Sequence, residues 1–215
     1  YLFSIDNTKY FLCDMRLEDN QIPSGYGYVE ERSLRIEGIG PKDNLFAAIT
    51  GKHLADWYRD TKFCGRCGHK MVHSTKERAM VCPECHNTVY PRIMPAVIVG
   101  VINGDKLLLT KYRTGFKYNA LIAGFTEIGE TVEETVKREV MEETGCSVDV
   151  LPIYYSDVDM QNKFIVRTYI CINPIPITTI SPSETGVIKY CTFDELTNGS
   201  FGDYNYRMFK HFKLI

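Results

Sequence analysis

Four cysteines arranged as two C-x2-C pairs constrain this chain more than any other sequence feature. They occur in the stretches FCGRCG and VCPECH, with the spacing C-x2-C-x14-C-x2-C, and are Cys64, Cys67, Cys82 and Cys85. Each pair is expected to form a tight turn that aims both sulfurs inward, so that four thiolates enclose a tetrahedral zinc ion. Because all four positions are protein ligands, no site remains for a substrate water. We therefore predict a structural zinc.

Two other interpretations of this cysteine block stay open. Two redox pairs, or chance spacing, are the alternative to a metal site, and the Gly and Pro residues at the turns disfavour it. A zinc ribbon can also either brace another domain or bind nucleic acid, and Lys62, Arg66, His69 and Lys70 form a modest basic cluster beside the knuckles. Loss of the metal is expected to unfold the block, because binding and folding are coupled.

The rest of the composition indicates an ordinary globular protein of 215 residues with a net charge of -2. The other cysteines read as reduced thiols in or near the core of a cytoplasmic protein; they are Cys13, Cys146, Cys171 and Cys191. No apolar run approaches the roughly 20 residues of a membrane helix. The first residues lack a signal-peptide pattern and there is no initiator Met, which is expected of a trimmed chain or a fragment.

The chain divides into three regions by its sequence pattern: an N-terminal region, 1–60, the cysteine block, 61–90, and a mixed α and β region, 91–215. In the first, KYFLCDMRL is strand-like and a helix is predicted from an N-cap at Asn44. In the third, an Asn-Gly turn in NGDK joins two strands as a hairpin. Further strands are predicted near 148–155, 163–172 and 187–193, with helical pieces at DELTNG and YNYRMFKHFKLI.

A helix rich in glutamate is predicted over 131–144. Thr131 and Glu134 have the spacing of a capping box, and Gly145 provides a C-terminal stop. In the last turn three carboxylates share one face near the negative end of the helix dipole, where they repel; these are Glu139, Glu142 and Glu143. A divalent cation such as Mg2+ or Mn2+ would relieve this repulsion and bind a phosphate. An acidic, solvent-exposed face is the alternative, and the charge pattern alone does not decide between them.

The residues around this helix resemble the Nudix box. Gly124 is followed after five residues by Glu130, and after seven more by Arg138-Glu139-Val140-Met141-Glu142-Glu143-Thr144-Gly145. Only the last position of the motif departs, with Cys146 in place of an aliphatic residue. The resemblance implies an α+β fold, a Nudix α/β/α sandwich with a mixed sheet, preceded here by the zinc ribbon and a small N-terminal α/β region. It also implies hydrolysis of a nucleoside diphosphate linked to another group.

A four-cysteine ribbon followed by VYPRIMPAVIVGVI and a box beginning AGF is similar to the NADH pyrophosphatase (NAD diphosphatase) family over roughly residues 50 to 146. That resemblance implies that the catalytic Mg2+ or Mn2+ is held by Glu139 and Glu143 with the Ala123 carbonyl and Glu184. Glu142 acts as a further ligand or activates water, and Glu130 pairs with Arg138 to orient the loop against the helix. Substrate contacts fall on Glu77, Tyr90 and Phe125. For Tyr90 and Phe125, simple core packing is the alternative.

One departure from that family concerns the segment after the box. The family carries a Ser-Gln-Pro-Trp-Pro-Phe-type stretch associated with dinucleotide specificity, whereas this chain reads LPIYYSDVDMQNKFIV and its one Trp is Trp57. Tyr154, Tyr155 and Phe164 are candidate replacements as stacking surfaces.

The sequence leaves three competing functions open. The first is hydrolysis of NAD(H) to NMN(H) and AMP, with removal of NAD caps from RNA as a related activity that only the family resemblance implies. The second is a Nudix activity on (d)NTPs or other nucleoside diphosphate derivatives, and the third is a non-enzymatic nucleic-acid binder. The resemblance also implies a homodimer in which ribbon-side residues complete the neighbouring site. The sequence does not assign a role to residues 1–60, for which a degenerate partner fold and a dimer brace are the two candidates.

Overall fold

The computed structural model describes residues 1–13, 17–18, 21–30, 40–112, 119–159, 164–177, 185–196 and 209–213. The chain forms two compact units, Tyr1–Ile93 and Met94–Ile215. Each unit has its own hydrophobic core, and each is built around a different part of the sequence pattern.

The first unit begins with a small antiparallel hairpin and a long helix. Strands β1, Phe3–Ile5, and β2, Thr8–Tyr10, pair with each other, and helix α1 spans Lys42–Asp60. The predicted N-cap at Asn44 is wrong, because α1 begins after Pro41. The Asn44 side chain instead accepts a hydrogen bond from the Tyr10 hydroxyl at 3.1 Å, which links α1 to β2.

The cysteine block folds as a three-stranded antiparallel sheet. Its strands are β3, Val72–His73, β4, Met80–Val81, and β5, Thr88–Val89, in that order. One face of this sheet is buried with the indole of Trp57 from α1, in a cluster that also contains Met71 and Met80 and two of the four cysteines. The ribbon therefore shares a core with α1.

The second unit contains a six-stranded mixed sheet. Its strands are β6, Ala96–Asn103; β7, Lys106–Tyr112; β8, Ile122–Phe125; β9, Cys146–Asp159; β10, Phe164–Pro176; and β11, Thr185–Thr192. The order is β11-β7-β6-β10-β9, with β8 paired to β6. The β6–β10 pair is parallel and the others are antiparallel, so the predicted mixed sheet is confirmed. Strands β9 and β10 are longer than predicted.

Both faces of this sheet are covered, because its strands alternate apolar side chains between two cores. Val97, Val99 and Val101 of β6 pack on one face with Val136 and Val140. On the other face Leu107 and Leu109 of β7 pack with a C-terminal cluster that includes Leu196 and Phe209. Helices on both sides of a mixed sheet confirm the predicted α/β/α sandwich. The predicted helical pieces appear as α3, Phe193–Leu196, and a turn at 209–211; residues 197–208 lie outside the described part.

Helix α2, Val132–Thr144, follows β8 and carries the glutamates. Thr131 and Glu134 form the predicted capping box, in which each side chain accepts a hydrogen bond from the backbone N–H of the other. Gly145 ends the helix in the left-handed region, with φ 71°. The local pattern therefore predicted both ends of α2 correctly, since each end depends on residues within one turn.

The remaining cysteines divide between core and surface. All eight cysteines are free thiols; Cys146, Cys171 and Cys191 are buried as predicted, whereas Cys13 is exposed, so the prediction that it lies in or near the core is wrong. Burial raises the pKa of the Cys171 thiol to about 12. None of the helices in the described part combines the length and the apolar character needed to span a membrane.

Candidate active site and zinc centre

The four cysteines of the ribbon converge as the sequence predicts. Their Sγ atoms all lie within 4.8 Å of one another. Cys64 and Cys85 are 3.6 Å apart, and Cys67 lies 3.4 Å from both Cys82 and Cys85. A zinc tetrahedron with Zn–S bonds of about 2.3 Å has S···S edges of about 3.8 Å. The cluster therefore fits zinc in both donor chemistry and size.

The backbone around the cysteines favours thiolates. The backbone N–H of Arg66 donates to Cys64 Sγ at 3.4 Å, and it is the main reason that the pKa of the Cys64 thiol falls to about 6. The backbone N–H of Cys85 likewise lowers the pKa of Cys82. The N–H of His69 favours the Cys67 thiolate, yet the neighbouring sulfurs and desolvation outweigh it and raise the pKa of Cys67 to about 12. Crowded sulfurs of this kind are stabilised by a cation at their centre.

In the second unit, Arg138 of α2 is the centre of an ionic network. Its guanidinium donates to both carboxylate oxygens of Glu130, from Nε at 2.6 Å and from Nη2 at 3.0 Å. Nη2 also donates to the Phe125 carbonyl at 2.8 Å. Loop and helix are thus joined by a two-point contact of the kind that Arg makes with carboxylates. The pairing of Glu130 with Arg138 that the family resemblance implies is present.

Two further groups hold Glu130, and the sequence pattern did not reveal either. The fully buried Thr135 donates its hydroxyl to Glu130 Oε2 at 2.9 Å, and the backbone N–H of Glu127 donates to the same oxygen at 3.1 Å. With Arg138 as the largest cause, these bonds lower the pKa of Glu130 to about 2. A Thr five residues after a Glu across a helix N-terminus gives no sequence signal, because the contact depends on how the loop turns back.

Glu139 lies against the backbone of β8. A Cβ placed on Gly124 would overlap both oxygens of the Glu139 carboxylate, so a side chain at position 124 would displace that group. The carboxylate is largely buried and also accepts from Arg138 Nη1 at 2.8 Å. Glu139 is thereby held at the strand position next to Ala123, whose carbonyl is a further hard oxygen donor.

The other two helix glutamates occupy different surroundings. Glu142 is 59% exposed and accepts from Arg138 Nη1 at 3.1 Å, whereas the Oε2 atom of Glu143 is buried. Arg138 thus offsets part of the repulsion among these carboxylates, a contribution that the sequence analysis did not include. Among the described residues, the four cysteines are the one group of three or more His, Cys, Asp or Glu side chains that is arranged to hold a metal ion. Glu139, Glu142 and Glu143 do not form a second such group.

The remaining predicted site residues are distributed over the two units. In the first unit, the Tyr90 hydroxyl donates to Glu77 Oε1 at 2.9 Å, and the hydrogen bond to Glu77 raises the pKa of Tyr90. In the second, the Phe125 side chain is 65% exposed. Tyr90 and Phe125 are both exposed, so the alternative of core packing is wrong for each. Glu184 lies outside the described residues.

Known proteins similar to this chain agree with this arrangement of motifs. A sequence model of the NUDIX domain matches residues 92–212, more than half of the chain. A model described as the NADH pyrophosphatase zinc ribbon domain matches residues 59–90. The two matches are adjacent. The NUDIX match contains the glutamate helix, and the ribbon match contains the four cysteines.

Individual relatives carry related names. A Shigella flexneri protein named NAD-capped RNA hydrolase NudC is 48% identical over 149 residues, covering 68% of this chain and 57% of that protein. A protein of the same name from Escherichia coli O9:H4 (strain HS) is 46% identical over 149 residues, with the same two shares. The chain thus spans 57% of the length of these relatives. A crystal structure of a NUDIX hydrolase from Nitrosomonas europaea has a TM-score of 0.47 at 24% identity, covering 65% of this chain and 84% of that one.

Proposed function

Because the chain belongs to the Nudix family, we propose that it hydrolyses the pyrophosphate bond of NAD(H) to give NMN(H) and AMP, and that it removes NAD caps from RNA by the same reaction. The observation that carries this proposal is the NADH pyrophosphatase ribbon match immediately before the NUDIX match. The names of the relatives, NAD-capped RNA hydrolases, support the same substrates.

The reaction proposed is attack of a water oxygen on one phosphorus. The bond from that phosphorus to the bridging oxygen breaks, the bridging oxygen leaves with the other phosphate, and two monophosphates result. The proton of the water passes to a glutamate, for which Glu142, Glu143 and Glu184 are the candidates. The ion pair of Arg138 and Glu130 keeps the loop attached to the helix during this reaction.

Glu139, Glu143, the Ala123 carbonyl and Glu184 are proposed to hold Mg2+ or Mn2+. The fit rests on hard oxygen donors and on the space that Gly124 leaves for the Glu139 carboxylate. When bound, such an ion neutralises phosphate oxygens and lowers the pKa of the attacking water. The structural Zn2+ takes no part in this chemistry, because its four ligands are all thiolates.

Phe125, Tyr90 and Glu77 are each proposed as a substrate contact. The Phe125 side chain is 65% exposed and available for stacking on a base, and the carbonyl of the same residue accepts a hydrogen bond from Arg138. In the first unit, the Tyr90–Glu77 pair offers a hydroxyl and a carboxylate, both of which form hydrogen bonds with sugar or base groups.

A second function is favoured by the segment after the glutamate helix. Tyr155 of β9, a candidate replacement for the family's stacking residues, packs against the rings of His211 and Phe212 at centroid distances of 5.0 and 6.5 Å. Its ring is therefore engaged within the fold, and the side chains of Tyr154 and Phe164 lie outside the described part. The packing of Tyr155 removes one candidate stacking surface for a second nucleotide, which favours smaller substrates, such as (d)NTPs or other nucleoside diphosphate derivatives.

A substrate panel separates these functions. NADH, NAD+, ADP-ribose, dNTPs and a 5′-NAD-capped RNA are incubated with the zinc-loaded protein in Mg2+ and in Mn2+, and the products are separated by chromatography. We expect NMNH and AMP from NADH and a 5′-monophosphate from the capped RNA. Preferential release from dNTPs would support the second function. The third, a non-enzymatic binder, requires that no compound in the panel is cleaved.

Glu143→Gln tests the glutamate roles with little change in side-chain volume. We expect turnover of NADH to fall by about 100-fold or more, because the variant loses a negative ligand and a possible proton acceptor. Zinc content and circular dichroism should stay as in the wild type. Wild-type turnover by the purified variant would refute the role of Glu143.

The domain boundaries and the assembly are further parts of the proposal. We assign 1–60 to an N-terminal region, 61–90 to the ribbon and 91–215 to the catalytic domain, and we propose a homodimer in the cytoplasm, where free thiols persist. Light scattering is expected to report twice the chain mass of 24.7 kDa. A monomer at micromolar concentration would contradict the dimer.

A further inference from the structure

The ribbon sheet has an exposed face that neither the zinc centre nor the proposed catalytic residues use. Phe63 and Lys70 lie opposite each other in an antiparallel bridge, so their side chains share a face. Along the chain Lys70 and Val72 are exposed and Met71 between them is buried, which places Val72 on the face of Lys70. The register Val72–Val81–Thr88 continues this row across the sheet. We call Phe63, Lys70, Val72 and Thr88 the ribbon face.

Large apolar groups on the ribbon face are open to solvent. Phe63 is 65% exposed and Val72 is 49% exposed, whereas Met71 and Met80 on the opposite face are buried with Trp57. The small core of the ribbon is therefore complete without Phe63. An aromatic ring that a fold exposes in this way, instead of burying it, is available to stack on a ligand.

Phe63 lies in the segment 61–76, where every charged side chain is a cation. The segment carries four cations and no Asp or Glu, in a chain whose net charge is -2; the cations are Lys62, Arg66, Lys70 and Lys76. Within the described part of the chain none of the four has an ion pair, whereas neighbouring Arg59 pairs with Asp56 at 2.7 Å. A zinc ion with four thiolates, two of them from outside this segment, has a formal charge of -2, so the four cations and the zinc site together carry a formal charge of +2.

We propose that the ribbon face binds single-stranded RNA, with a base stacked on Phe63 and phosphates held by Lys70 and the nearby cations. An exposed ring opposite Lys70, in a segment whose cations have no ion pair in the described part of the chain, matches a strand that alternates phosphates with unpaired bases. A duplex hides the faces of its bases, and an acidic peptide offers nothing for the ring to stack on. This inference rests on the proposed function for its substrate, the RNA that follows an NAD cap, but the binding itself requires no hydrolysis.

Fluorescence anisotropy with an uncapped, 5′-labelled, single-stranded 12-nucleotide RNA tests the proposal on the full zinc-loaded chain. Because this probe has no pyrophosphate, binding is measured apart from catalysis. We expect the logarithm of affinity to fall with the logarithm of salt concentration with a slope of about -3, since four phosphate contacts contribute about -0.7 each on a single strand. A duplex of the same sequence and a poly-glutamate peptide should bind more weakly.

Matched variants test which groups bind. Phe63→Ala should weaken RNA binding at least about fivefold, in keeping with the contribution of one stacked base. Lys62→Glu/Lys70→Glu should make the salt slope less steep by about 1.4. Phe11→Ala removes a ring of similar exposure, 67%, and Lys106→Glu reverses an exposed charge in the second unit. Both controls should bind RNA within about twofold of the wild type.

Several outcomes would overturn the proposal. These are equal RNA binding by Phe63→Ala and wild type, no binding at low salt, or equal affinity for poly-glutamate. The variants must retain one zinc per chain and wild-type hydrolysis of NADH, which shows that the ribbon is folded. NADH hydrolysis without RNA binding would contradict this inference alone, whereas RNA binding by a chain that cleaves nothing would contradict the proposed function alone.

Discussion

Gly124 in β8 has a steric role that involves a residue fifteen positions away. The carboxylate of Glu139 occupies the space that a side chain at position 124 would need. From the sequence, the glycine indicated only a close approach of backbone to a ligand. The structure shows that a protein carboxylate makes this approach, which holds a proposed metal ligand against the strand.

Gly124→Ala is therefore expected to displace Glu139. Turnover should fall by about 100-fold, and the affinity for Mn2+, measured by isothermal titration calorimetry, should fall in parallel because one ligand is moved. Gly27→Ala is the matched control, since a Cβ there meets no atom within 4 Å. If Gly124→Ala binds Mn2+ and turns over like the wild type, Glu139 is not held in this way.

Glu130 links the stability of the second unit to pH. Its pKa in the folded protein is about 2, below the ordinary value of 4.5, chiefly because Arg138 donates to the carboxylate. A carboxyl group with a lowered pKa contributes stability above its unfolded pKa, and that contribution is lost as the pH falls through the folded value. The relevant window is thus from about pH 4.5 down to about pH 2.

Glu130→Gln should remove this pH dependence. The variant should be less stable than the wild type at pH 7, and the difference in urea midpoint should shrink as the pH falls from 4.5 towards 2. Zinc loss in acid affects both proteins equally, so the difference between them reports Glu130. Glu133→Gln, on an exposed position of the same helix, should follow the wild type. A constant difference across this range would show that the ion pair is not the cause.

At the scale of the element, α2 combines a favourable beginning with an unfavourable end. The capping box satisfies backbone donors in the first turn. The last turn concentrates carboxylates where the helix dipole disfavours them. Arg138 relieves part of this cost by contacting Glu139 and Glu142 from within the helix. The start of the helix is thus stabilised by local bonds, and its end depends on cations.

Thr131→Ala tests the contribution of the helix start. Loss of the N-cap should destabilise the second unit by about 1 kcal/mol, because the backbone N–H of Glu134 loses its acceptor. The change is measured by urea unfolding followed by circular dichroism, with zinc present. Ser147→Ala, which removes an exposed hydroxyl at the start of β9, is the control. An unchanged free energy of unfolding for Thr131→Ala would mean that tertiary packing alone holds this end.

At the scale of the whole molecule, the two units use different metal chemistry. The first contains a cluster of thiolates, which prefer zinc, and the second contains hard carboxylate and carbonyl oxygens, which prefer Mg2+ or Mn2+. The single Trp of the chain, Trp57, lies in the first unit and packs in one cluster with Cys64 and Cys82. Its fluorescence is therefore a specific reporter of the zinc ribbon.

Removal of zinc should be visible through this residue. A zinc chelator is expected to shift Trp57 emission to longer wavelength, because an indole that is 9% exposed becomes hydrated when the ribbon unfolds. Dialysis that removes only Mg2+ or Mn2+ should leave the emission unchanged. Unchanged emission from a protein shown by metal analysis to lack zinc would contradict a structural role for the ion.

The sequence by itself determined the four-cysteine cluster, the β6–β7 hairpin and both ends of α2. Each of these depends on residues close together in the chain, so spacing and capping preferences are sufficient. The start of α1 was predicted wrongly for the opposite reason. The Asn44 side chain bonds to Tyr10, thirty-four positions earlier, and so does not cap the helix.

Only the tertiary structure decided which groups meet across the sheet and loops. Strands β6 and β10 are distant in the chain yet lie parallel and adjacent, the Phe125 carbonyl reaches Arg138, and Tyr155 packs on Phe212. Such contacts bring together residues whose individual sequence surroundings carry no sign of the partner. They form because burial of the two cores brings the strands and helices together, and that free energy belongs to the whole fold rather than to any local segment.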